Sequence, residues 1–110
     1  MFEDDRTRLR HMLDAAREAV GAVQGRTRED LDRNHVWALG LVKCIEIIGE
    51  AAGRVGKDAQ ERYRQIPWRQ IVAMRNRLVH AYFEIDNEQL WKALTDDVPP
   101  LIEELEKILE

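Results

Sequence analysis

Apolar side chains recur at Leu9, Met12, Leu13, Ala16, Ala19, Val20 and Val23. Their steps of three and four mark one face of a helix. Gly21 and Gly25 weaken its end, and a polar connection, Gly25 to Asp32, follows. A second segment, near Asn34 to Val55, is apolar on most sides: Val36, Trp37, Leu39, Leu41, Val42, Ile45, Ile47, Ile48, Ala51 and Ala52. Such a helix belongs at the centre of a bundle, touching neighbours all round. Gly49, Ala51 and Ala52 are small enough to let another helix come close, and Gly53 and Gly56 suit its exit. Asp58 to Tyr63 adds a short helical turn.

Pro67 suits the start of a third helix, where its fixed φ and missing N–H cost nothing. The pattern carries that helix to about Tyr82, with Trp68, Ile71, Val72, Leu78 and Val79 as its core stripe. Asp86, followed three residues on by Gln89, resembles a capping box and opens a fourth helix. Leu90, Trp91, Leu94, Val98, Leu101, Ile102, Leu105, Ile108 and Leu109 line its face. Pro99 and Pro100 must interrupt or kink it, because each removes a backbone donor. The architecture expected is all-α: a single domain over residues 1–110, folded as an antiparallel, up-and-down four-helix bundle with an extra short helix.

Composition leaves this picture intact, with 45% apolar and 35% charged residues in a globular balance. No apolar stretch reaches the ~20 residues that span a bilayer. The acidic start, Met-Phe-Glu-Asp-Asp, lacks the basic region of a signal peptide, so a soluble cytoplasmic protein is expected. The single cysteine, Cys44, lies in an apolar run and reads as a small core residue. Charge is unevenly spread. Residues 1–53 carry 8 basic and 10 acidic side chains, residues 54–83 carry 7 and 2, and residues 84–110 carry 2 and 9. The net charge of −4 argues against a general nucleic-acid binder, yet the basic middle segment can hold phosphates.

The third helix breaks its own pattern. Arg75 and Tyr82 fall where the stripe calls for Leu or Ile, and a buried arginine without a partner costs several kcal/mol. Glu46 and Glu50, one turn apart on the second helix, could hold it as a structural staple. Alternatively, Arg75 is positioned to meet an anion. Asn76 and His80 share a face, whereas Arg75 and His80 stand about 140° apart on an ideal helix. Convergence of those two therefore needs long side chains, a loosened helix end or a second subunit. Arginine is a forked, permanent phosphate ligand, and histidine moves protons near neutral pH. Together they are the parts for cleaving RNA without a metal. There is no Gly-rich phosphate loop, no His-Glu-x-x-His and no cysteine cluster, so neither cofactor nor metal is expected. His11 and His35 stand alone and receive no role.

The run Met74-Arg75-Asn76-Arg77-Leu78-Val79-His80-Ala81-Tyr82-Phe83 resembles the signature of the HEPN superfamily, most of all its HepT-like branch. The resemblance extends from Asp5 to Leu109. It includes Glu46-Ile47-Ile48-Gly49-Glu50-Ala51-Ala52 and the lead-in Tyr63-Arg64-Gln65-Ile66-Pro67-Trp68. It implies a homodimeric, metal-independent ribonuclease toxin acting on RNA, with the Arg-x4-His motifs of both subunits lining one cleft. It further implies an MntA-like nucleotidyltransferase antitoxin that transfers AMP to the tyrosine of His-x-Tyr. Carried over, Arg75 and His80 would be catalytic, Asn76 and Glu50 supporting, and Tyr82 the modified residue. Ala81 stands where many relatives have Gly, a position the motif lets vary. The other reading of the same resemblance is a non-catalytic scaffold that binds the nucleotidyltransferase.

Overall fold

The long apolar segment forms α3 (His35–Arg54), capped by Asn34, whose side chain accepts the Trp37 backbone N–H at 3.1 Å. In the computed structural model, which describes residues 3–81 and 84–110, α3 packs on one flank against α1 (Glu3–Val23) and on the other against α5 (Trp68–Leu78). The close approach to α5 depends on Gly49. A Cβ built there would lie 3.4 Å from the Ile71 carbonyl oxygen, so a larger side chain would push the helices apart. α1 and α3 run antiparallel, since Asp5 at the start of α1 accepts the backbone N–H of Gly56, just past the end of α3, at 2.9 Å. α1 ends at Val23 and turns through Gly25, whose φ of 73° is the left-handed value that glycine adopts without strain.

The connection after α1 is more structured than its polarity suggested. It holds α2 (Glu29–Arg33), anchored by buried Leu31. Asp30 accepts the Thr27 backbone N–H at 2.8 Å, and Asp32 accepts from the Asn87 side chain at 2.9 Å. The short turn expected near Asp58 is α4 (Lys57–Arg62). The Trp68 indole N–H then pins α5 to it, donating to the carbonyls of Gln60 at 3.0 Å and Tyr63 at 3.2 Å.

The third helix is shorter than its periodicity predicts. It ends at Leu78, and the chain passes into β1 (Val79–Ala81), paired antiparallel with β2 (Glu84–Ile85). The Asp86 backbone N–H closes this hairpin on the Leu78 carbonyl at 2.6 Å. The core line of α5 is also shifted. Trp68, Ile71, Met74 and Leu78 are buried, while Val72 is 42% exposed and Arg75 is exposed. Arg75 therefore does not sit in the core, and the expected buried staple to Glu46 or Glu50 is not formed.

Asp86 caps α6 (Asn87–Lys92) as expected, accepting the Gln89 backbone N–H at 3.1 Å. The two prolines act one turn earlier than a kink would place them. A π-helical turn, Ala93–Asp97, precedes α7 (Val98–Leu109), and Pro99 falls in the opening turn of α7, where a missing N–H is harmless. α7 lies along α1 in the opposite direction, with the Arg6 guanidinium donating to the Leu109 carbonyl at 3.0 Å. Cys44 is half-buried against the core, and burial pushes its thiol pKa up. No described helix is long and apolar enough to cross a membrane.

Candidate active site

Arg75 and Asn76 occupy the last turn of α5, and both are exposed. Among the described residues Arg75 makes no ion pair. Glu50 is exposed on α3 and faces Arg54 at 3.9 Å instead. Glu46 is half-buried on the same helix and makes no described ion pair. The guanidinium of Arg75 is consequently available to a ligand.

His80 lies on β1, beyond the end of the helix, so the 140° separation expected from a continuous helix does not apply. The break after Leu78 is the loosened helix end that convergence with Arg75 would need. The His80 backbone is placed in the hairpin, and its side chain lies outside what the structure describes. Tyr82 also lies outside the described residues.

On α5 the side that carries Arg75 also carries Val72, whose methyl lies 3.8 Å from where a Cβ on Gly53 would stand. The opposite flank borders a groove of about 400 Å³ lined by Ile66, Ile71, Met74, Arg77, Asp97 and Leu101, among others. Neither Arg75 nor Asn76 lines it. Arg77 instead turns back on its own helix, donating to the Gln70 carbonyl at 3.2 Å. Among the described residues no three His, Cys, Asp or Glu side chains gather in a way that could hold a metal ion.

The profile of the family described as "Ribonuclease HepT-like" matches residues 12–108, a span that contains Arg75, Asn76 and the hairpin. The chain belongs to the HepT-like ribonuclease family. Its relatives within that family cover it almost end to end. It is 34% identical over 100 residues to the "Probable ribonuclease HepT" of Thermococcus cleftensis, covering 87% of this chain and 91% of that protein. A candidate RNase of Methanocaldococcus jannaschii is 32% identical over 98 residues, covering 89% and 90%. A candidate RNase of Caldanaerobacter subterraneus subsp. tengcongensis is 30% identical over 102 residues, covering 93% and 91%. No solved structure matches the chain at comparable significance.

Within this HepT-like chain, periodicity found the Arg75 segment but misjudged its depth. The signal that would have corrected it is Met74. Counted with Met74, the apolar steps from Trp68 run three, three and four to Leu78 and leave Arg75 off the line. The exposure of Val36 (78%) and Leu39 (45%) on α3 was also missed, because an all-round apolar helix reads as fully enclosed.

Proposed function

We propose that this HepT-like chain is a metal-independent endoribonuclease toxin of a toxin–antitoxin pair. The observation that carries the reading is Arg75, exposed and without an ion pair among the described residues, on the last helical turn before the strand that bears His80. An arginine so placed holds a phosphodiester and offsets the charge that grows on it as the 2′-oxygen attacks phosphorus. His80 takes the proton from the 2′-hydroxyl or gives one to the departing 5′-oxygen. Asn76 and Glu50 are the supporting polar groups, and RNA is the substrate.

The active form in this reading is a homodimer in which two Arg-x4-His motifs share one cleft. Open apolar side chains on α3 and α5, Val36, Leu39 and Val72, support a partner surface of that kind. Neutralisation falls to an MntA-like nucleotidyltransferase. The Tyr82 oxygen attacks the α-phosphorus of ATP, a P–O bond forms, and pyrophosphate leaves. The AMP adds negative charge and bulk two residues from His80, where RNA phosphate must enter.

The alternative, a non-catalytic scaffold for the nucleotidyltransferase, drew support from an Arg75 locked into an internal salt bridge. Its exposure removes that support. Purified protein is expected to cleave RNA in EDTA, and His80→Ala is expected to keep the fold and lose the activity. Full activity in His80→Ala would move the chemistry elsewhere. No cleavage by dimeric protein unmodified at Tyr82 would favour the scaffold.

A further inference from the structure

Many of the cations in the bundle are engaged within it. Arg6 holds the Leu109 carbonyl, Arg17 pairs with Glu106, Arg28 with Asp32 and Glu88, and Arg33 with Asp30. The corner between α4 and α5 differs. Arg62, Arg64, Arg69 and Arg75 are all exposed there, and none makes an ion pair among the described residues. The only carboxylates between residues 54 and 83 are Asp58 and Glu61.

The local structure holds these four together. Arg62 and Arg64 flank Tyr63, whose carbonyl accepts both the Ile66 backbone N–H at 3.1 Å and the Trp68 indole N–H at 3.2 Å. Arg69 follows Trp68 directly, so the turn bearing Arg64 is fastened to the residue beside Arg69. From there the exposed ridge of α5 runs Arg69, Val72, Arg75 and Asn76, all within about 120° of the helix circumference. Arg69 and Arg75 are about 9 Å apart along the axis. Val72 rests beside Gly53, and the missing side chain leaves that junction low between the two cations.

We propose that this corner is a phosphate track: Arg64 and Arg69, extended by Arg62, hold the backbone of the RNA strand whose scissile phosphate lies at Arg75. The proposal rests on the ribonuclease reading and adds where the rest of the substrate runs. Point-charge contacts to phosphates carry no sequence preference, so the track sets affinity and register while Arg75 and His80 act on the bond.

Binding of a fluorescent 2′-O-methyl oligoribonucleotide, which lacks the attacking hydroxyl, tests it by anisotropy across a salt series. Each single-strand phosphate contact contributes about 0.7 to the slope of log K against log[salt], or roughly fivefold in affinity near 0.1 M. Arg64→Ala/Arg69→Ala should therefore flatten the slope by about 1.4 and weaken binding roughly 25-fold. With cleavable RNA it should raise KM and leave kcat unchanged. The double variant Arg10→Ala/Lys107→Ala, which removes two exposed charges from α1 and α7, should bind as wild type. Equal binding by the two double variants, whether both intact or both weakened, would overturn the track and leave the ribonuclease reading standing. No binding by the wild-type protein would sink both.

Discussion

At Arg75 the periodicity of α5 and its packing part by a single position. Placing Val72 on the buried line draws Arg75 in with it, whereas placing Met74 there leaves Arg75 in water. The difference is about 160° around the helix between Val72 and Met74, and no count of apolar residues decides it. It follows that Arg75→Ala removes no buried ion pair, so the variant should fold and report on chemistry directly. Tyr82 is judged at the same scale. Incubated with the cognate nucleotidyltransferase, ATP and Mg²⁺, wild-type protein should gain the mass of AMP and Tyr82→Phe should not. Equal labelling of the two would place the acceptor on another residue.

Element by element, the long helices were legible because each buries one face, and burial writes a period of 3.6 into the sequence. Asp86 was legible because a cap is a local contact, three residues long. The hairpin after Leu78 was not, since Val79 continues an apolar helical pattern as readily as it begins a strand. Nor was α2, whose order comes from side chains that meet across long sequence separations. Arg28 reaches Glu88, and Asp32 accepts from Asn87. These contacts carry a pH dependence. The Thr27 backbone N–H holds the carboxyl of Asp30 below its usual range, and Asn87, then Arg28, do so for Asp32. A carboxyl with a lowered folded pKa lends stability above the unfolded value near 3.9, and that stability is lost as pH falls through the folded one. The α2 clamp should thus be complete above about pH 4 and loosen below it. Carboxyl NMR should find Asp32 titrating below 3.9 in wild type and moving up toward it in Asn87→Ala. No movement would assign the effect to Arg28 alone.

For the whole molecule, Cα extents of 43 × 29 × 19 Å describe a slab about two helices thick. A slab has two broad faces and too few helices to cover both, which is why α3 is enclosed on its flanks yet open along Val36 and Leu39. In the dimer reading this open face meets a second copy. Val36→Glu/Leu39→Glu should then shift the light-scattering mass from dimer toward monomer while helical circular dichroism is kept. A dimer unaffected by the two charges would place the interface elsewhere. The π turn at Ala93–Asp97 bears on how such a bundle tolerates change in length. A π turn accommodates one residue more than an α turn over the same rise, so it works as a spliced-in spacer. Deleting a residue there would restore regular winding and swing everything downstream by about 100°. Leu101, Leu105 and Leu109 would leave the seam they form with α1. The surplus residue is thus what keeps the last helix in phase with the first, and the segment from Ala93 to Asp97 should resist shortening even though Thr95, Asp96 and Asp97 face solvent.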